Sequence, residues 1–231
     1  TGGVIIQAGT VQLQTSANAA GTGTITLGDT SGSADATLKS ASALTFANPI
    51  TIASGSSGTL SITTIASGDT TFSGAVTLNN NLTITGTNSL RLILTGGITG
   101  TGNIITNVIS SGSSFSAITL STTSINNAGT ITNSGLGSSS TTISAVIGTN
   151  VTGVIQNSAT SGLTLSGANT FTSGLTIKAG MVTGMTSNLA FGSSSAANSI
   201  IIGDTSGSAN ATLKGWGITF ANPITVASGS S

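Results

Sequence analysis

A three-residue word, apolar–Thr/Ser–apolar, recurs along the whole chain and decides what backbone it can adopt. It reads Leu44-Thr45-Phe46, Ile50-Thr51-Ile52, Leu60-Ser61-Ile62, Val76-Thr77-Leu78 and Leu82-Thr83-Ile84 in the first half. It continues as Ile118-Thr119-Leu120, Leu163-Thr164-Leu165, Leu175-Thr176-Ile177, Ile218-Thr219-Phe220 and Ile224-Thr225-Val226. A period of two sends the apolar side chains to one face of a strand and the hydroxyls to the other. Ile, Val, Phe and Thr also suit a pleated surface. No stretch carries the spacing and caps of an amphipathic helix. The chain is therefore expected to be all-β.

Between the words lie turn clusters such as Gly28-Asp29-Thr30-Ser31-Gly32, Ser54-Gly55-Ser56-Ser57-Gly58, Asn79-Asn80-Asn81 and Gly135-Leu136-Gly137-Ser138-Ser139-Ser140. Glycine supplies positive φ there, and Asn or Asp satisfies turn backbone locally. Short strands with such turns fit an antiparallel sandwich or a stacked β-solenoid. Three features favour the solenoid. The strands are shorter than the five to six residues usual elsewhere. A long repeat, described next, divides into about eight coils of ~20–24 residues. Stacking also sets like above like, with Thr in outer ladders and Ile or Leu in inner ones. That arrangement explains how a chain with only 3% charged residues forms a surface, where soluble domains carry roughly 25%. Asn48-Pro49 and Asn222-Pro223 precede apolar words, the strand-start position that suits a residue without an N–H. The expectation is a parallel β-helix of about ten coils.

The chain also repeats itself at long range. Gly28-Asp29-Thr30-Ser31-Gly32-Ser33-Ala34-Asp35-Ala36-Thr37-Leu38-Lys39 returns as Gly203-Asp204-Thr205-Ser206-Gly207-Ser208-Ala209-Asn210-Ala211-Thr212-Leu213-Lys214. Residues 24–57 as a whole recur as 199–231, a period of about 175. Residues 1–231 are accordingly read as one continuous solenoid segment of a longer array. The absence of a signal peptide, and Thr1 in place of a start, support the same expectation.

The stretch Leu163-Thr164-Leu165-Ser166-Gly167-Ala168-Asn169-Thr170-Phe171-Thr172-Ser173-Gly174-Leu175-Thr176-Ile177-Lys178-Ala179-Gly180-Met181-Val182 resembles the autotransporter-associated β-strand repeat, also called the passenger-associated transport repeat. A partial second copy, Gly3-Val4-Ile5-Ile6-Gln7-Ala8-Gly9-Thr10-Val11, aligns with residues 174–182. Leu175 stands where that family usually has Thr, and Met181-Val182 where it has Thr-Leu. The resemblance implies a right-handed parallel β-helix in a large secreted or cell-surface bacterial protein. Many relatives end in an exporting membrane β-barrel, and no stretch of this chain resembles one.

Catalytic chemistry is scarce. The sequence has no Glu, His, Cys or Tyr, and its charges are Asp29, Asp35, Asp69, Asp204, Lys39, Lys178, Lys214 and Arg91. Acid–base catalysis needs titratable groups within reach of one another, and without His no hydroxyl here forms a Ser-His-Asp triad. Asp29 and Asp204 occupy one repeat position whose flanks read as a turn. Asp35 is matched by Asn210, so the position does not require a charge. Asp69, in Ser67-Gly68-Asp69-Thr70, also reads as a turn residue. No Gly-Gly-x-Gly-x-Asp nonapeptide is present to bind calcium, and the glycine runs lack the lysine and helix of a phosphate loop. No catalytic, cofactor-binding or metal-binding residue is assigned, and the chain is not read as an enzyme.

Zero formal net charge gives no electrostatic case for nucleic acid. The apolar run 90–98 is broken by Arg91, Thr95, Gly96 and Gly97, far short of the ~20 residues of a membrane span. Lys39 and Lys214 are read as solubilising edge charges, and Trp216 as a partly buried corner aromatic. Asn81, Asn150 and Asn210 fit the N-glycosylation pattern.

Three functions compete on these grounds. The first is a non-catalytic structural segment of a giant extracellular or cell-surface fibre or sheath. Its partners would be further copies of the repeat along the axis, with lateral or end-to-end self-association. The second is an adhesin module binding glycans or other cells, for which Trp216 and residues 101–140 are the candidates. The third is an ice-binding Thr array, suggested by Thr22-Gly23-Thr24-Ile25-Thr26, Thr83-Ile84-Thr85 and Thr170-Phe171-Thr172.

Overall fold

Apart from Ile218-Thr219-Phe220, every apolar–Thr–apolar word falls on a strand, and successive words stack in parallel instead of pairing as hairpins. The computed structural model describes residues 2–87, 90–111 and 116–229. Every paired strand among them is parallel, and no helix occurs. The first sheet stacks Val4–Ile6, Ile25–Leu27, Ile50–Ile52, Val76–Leu78 and Ile98–Gly100, and single bridges at Ile125 and Ile147 carry it on. The second runs from Gly9–Leu13 through Ala36–Ser40, Leu60–Thr64 and Leu82–Gly86 to Ile200–Ile202 and Ile224–Val226. The third runs from Thr45–Phe46 and Thr70–Phe72 to Leu163–Leu165 and Ala211–Trp216. One long strand, Leu175–Met185, turns the corner and belongs to both the second and the third sheet.

The result is a β-solenoid of about nine turns, one fewer than ten. The shortfall comes from turns wider than the words suggest. Second-sheet partners lie 21 residues apart at Val154 and Leu175, but 27 apart at Gly9 and Ala36 and again at Ile104 and Ile131.

Register makes the ladders. On the first sheet Ile25, Ile50, Val76 and Ile98 stand in one inward file, with Thr26, Thr51, Thr77 and Thr99 outward beside them. Phe46 and Phe72 stack inside the third sheet with ring centroids 5.4 Å apart. The inward residues form one continuous core, each fully buried Ile or Leu contributing roughly 1.5–3 kcal/mol. Outside, hydroxyls pair between coils, as at Thr37 and Ser61, 2.9 Å apart.

Asparagine seals the corners. Asn48 donates its amide to the carbonyls of Gly21 and Gly23, at 3.1 and 2.7 Å. Asn127 does so to Gly102, and Asn169 to Ala190. These side chains are buried, and their bonds satisfy carbonyls that the turning backbone cannot pair within a sheet. Pro49 sits directly before Ile50–Ile52, and its carbonyl accepts the N–H of Ile25.

One expectation fails inside the barrel. The file Leu38–Ile62–Ile84 on the second sheet continues inward as Thr106, Asn133 and Gln156 before returning to Ile177. All three polar residues are buried. Asn133 donates to Gln156 Oε1 and to the Ser161 carbonyl, each at 2.8 Å, and accepts from Thr106 and Thr141 at 3.0 and 3.2 Å. Gln156 closes the set by donating to the carbonyls of Ser158 and Ser161. A polar network tolerates a dry interior only when its members satisfy one another, as these do.

Candidate functional surfaces

The four aspartates sit at corners, Asp29 and Asp35 in the one between Ile25–Leu27 and Ala36–Ser40, and each accepts a backbone N–H. Asp29 and Asp204 accept the N–H of the residue that follows, Thr30 at 2.6 Å and Thr205 at 2.8 Å, which is the turn role read from their flanks. Asp35 instead reaches the next coil and accepts the N–H of Thr59 at 2.7 Å. Asn81 and Asn103 hold the equivalent corner two and three coils on, accepting from Asn103 and Thr130 at 3.0 and 2.8 Å. An amide oxygen accepts that bond as well as a carboxylate does, which explains why the second repeat copy carries Asn210.

Asp69 departs from the turn reading. It joins two coils, accepting from the backbone N–H of Arg91 at 3.0 Å and from its guanidinium Nε at 2.9 Å, with Nη2 beside it. The hydrogen bond from the Arg91 side chain holds the Asp69 carboxyl below its ordinary range, against the opposing effect of burial. Both guanidinium nitrogens share the one oxygen Oδ2 while Oδ1 takes the backbone N–H, and this is the one ion pair among the described residues.

No group of three or more His, Cys, Asp or Glu side chains comes together among the described residues. No helix is long and apolar enough to cross a membrane. A depression at the corner after the second sheet is open and lined by Ile65, Ala66, Ser67, Leu90, Ile109 and Ser110, none of them titratable.

Two outer features do stand out. Along the corner after the second sheet, Ile65, Ile109 and Leu136 project into solvent, Leu136 with 86% of its surface exposed. Ile109 and Leu136 fall in the stretch 101–140 singled out from the sequence, of which 112–115 lie outside the described residues, and Ile65 does not. A repeated turn cluster gave no hint of them, because an apolar residue at a solenoid corner has no partner in its own word. Trp216 is 63% exposed, with the Lys214 ammonium 4.6 Å from its ring centroid.

The hydroxyl array is a narrow one. On the first sheet the outward Thr residues form a single file. On the second, hydroxyls stand side by side at Ser61 with Thr63, at Thr83 with Thr85 and again at Thr130 with Thr132. Lys39 interrupts them on one side, and Ile105 with Asn107 on the other. Of the three sequons, Asn81 is already engaged with Asn103 of the next coil, while Asn150 and Asn210 are exposed.

No family model, curated protein or solved structure matches this chain. Its two internal copies are alike in backbone geometry. Gly9 and Gly180 share a φ of 77°, and Gly28 and Gly203 have 102° and 100°. The turn bonds Ser16 to Gln14, Ala19 to Ser16 and Gly21 to Asn18 recur as Ser187 to Met185, Ala190 to Ser187 and Gly192 to Leu189. The repeat thus includes residues 14–21, where Thr15, Ser16, Ala19 and Gly21 return as Thr186, Ser187, Ala190 and Gly192. It spans 3–57 and 174–231, of which Ser230 and Ser231 lie outside the described residues.

Proposed function

We propose that this chain is a non-catalytic structural segment of a giant repetitive extracellular or cell-surface fibre or sheath, of the kind its resemblance to the autotransporter-associated β-strand repeat implies. Its partners are further copies of the same repeat along the solenoid axis. The observation that carries this reading is that the second copy folds on the hydrogen bonds of the first, so the solenoid extends by repetition with no change of structure. The outer faces support it. They are hydroxyl-rich and almost free of charge, so neither salt nor pH has much to act on, and little electrostatic repulsion keeps neighbouring solenoids apart.

The exposed Ile65, Ile109 and Leu136 favour one second reading, an adhesin module that contacts another surface along that corner. Electron imaging of the native material separates the two. Long filaments with an axial spacing of about 4.8 Å are expected of a fibre. Short isolated spikes at a cell surface would favour the adhesin, and compact soluble particles would defeat both.

A further inference from the structure

The two repeat copies fold alike but do not face alike. Val4–Ile6 and Ile25–Leu27 lie on the first sheet, whereas their counterparts, 175–177 and Ile200–Ile202, lie on the second. Ala36–Ser40 belongs to the second sheet and its counterpart Ala211–Trp216 to the third. The offset can be counted along the first sheet. From Ile25 the turns pass Ile50, Val76, Ile98, Ile125 and Ile147. Thr170 then bonds back to Ile147, and Ser193 to Phe171, which completes seven turns. Ile200 follows one face later. One period is seven and one-third turns.

The same comparison identifies what belongs on the open end. Ile50 and Ile52 are fully buried, while their counterparts Ile224 and Val226 are 52% and 71% exposed. In the first copy the cover is the coil 58–78. Leu60–Thr64 lies on Ala36–Ser40, Thr70–Phe72 on Thr45–Phe46, and Val76–Leu78 on Ile50–Ile52. That coil also takes two backbone bonds, Ala36 N–H to the Thr59 carbonyl at 3.0 Å and Ile50 N–H to the Ala75 carbonyl at 2.9 Å. Among the described residues, Ile224–Val226 pairs on one side only, with Ile200–Ile202.

We propose that this end is a docking surface for one coil of a further copy of the repeat, of the 58–78 pattern, seated one face round from its position in the first copy. Its Leu60-type strand lies on the third sheet over Ala211–Trp216. Its Val76-type strand lies on the second over Ile224–Val226. The proposal rests on the structural reading above and names the partner that reading requires. Matching requires inward Leu, Ile, Phe and Val to close the core over Ile224 and Val226, and two carbonyls aimed at the Ala211 and Ile224 N–H groups.

The test appends a second copy of residues 58–78 after Ser231 of the full chain and follows amide hydrogen exchange in dilute solution. The Ala211 and Ile224 amides are expected to slow by more than about tenfold. A control coil carrying L60S, I62S, F72S, V76S and L78S is expected to leave both unchanged. If the apolar coil protects neither amide, or the polar coil protects both equally well, the proposal is overturned. Protection of both amides in the chain without an appended coil, rising with its concentration, would assign the seat to a second chain's N-terminal coil and overturn it too. Because the readout is intrachain, protection without filaments would keep this inference and remove the fibre reading. Filaments without protection would do the reverse.

Discussion

At the scale of single residues, two of the four aspartates, Asp35 and Asp69, join one coil to the next. Asp69 and Arg91 bridge two turns, and their side chains remain 34% and 46% exposed. Pairs so open to solvent contribute less than about 1 kcal/mol. The sign of their pH dependence follows from the lowered Asp69 pKa. Its contribution is fully present above the unfolded value of 3.8 and is lost as pH falls through the still lower folded value. With no His in the chain, nothing is expected to titrate between about pH 5 and 7. Thermal melts followed by circular dichroism should give one Tm across that range, with a decline confined to pH below 3.8. Asp69→Asn should lower the plateau slightly and flatten the decline. A Tm that drops between pH 7 and 5 would show that some other titrating contact matters more.

At the scale of elements, the interior polar file is where the fold is most sensitive. Asn133→Ala removes an amide that both feeds Gln156 and receives the Thr106 and Thr141 hydroxyls, leaving buried groups unpaired. The expected loss is about 2–4 kcal/mol in urea unfolding, against less than about 0.5 kcal/mol for the outward Thr132→Ala. Replacing the set together, as T106V, N133L and Q156L, should recover only part of the loss, because the buried Thr141 hydroxyl and the Ser158 and Ser161 carbonyls still lose their partners. Equal losses at Asn133 and Thr132 would mean that the network is not what orders these coils. The words themselves were legible in the sequence, since each reports its own strand, inward face and outward Thr. The inward turn of Asn133 was legible in principle, as it shares the parity of Ile131 in Thr130-Ile131-Thr132-Asn133. It was hidden because the residues that satisfy it, Thr106 and Gln156, are neighbours only after stacking. The Asp69–Arg91 pair was hidden for the same reason, being 22 positions apart in sequence. Close approach between coils was likewise invisible. A Cβ on Gly96 would stand 2.1 Å from the Gly74 carbonyl of the coil beneath.

At the scale of the whole molecule, the third of a turn left over in each period governs what an extended solenoid looks like from outside. Had the period been a whole number of turns, Lys39 and Lys214 would stand in one file on one face. Instead they lie on adjacent faces, Lys39 on the second sheet and Lys214 on the third. Repetition therefore winds every feature of the repeat around the axis, and no face presents it twice until three periods have passed. At about 4.8 Å per turn, one period rises about 35 Å, and three periods, or twenty-two turns, rise about 106 Å. Fibre diffraction or helical image analysis of filaments built from this repeat should show the ~4.8 Å spacing, a ~35 Å subunit rise with a threefold screw, and a true repeat near 106 Å. A true repeat of about 34 Å, seven whole turns, would mean that the repeats stack in phase and that the face shift is lost on assembly. The screw also has a mechanical consequence. A solenoid whose features are shared equally among three faces has no preferred side for lateral contact, so its neighbours can pack around it in any direction.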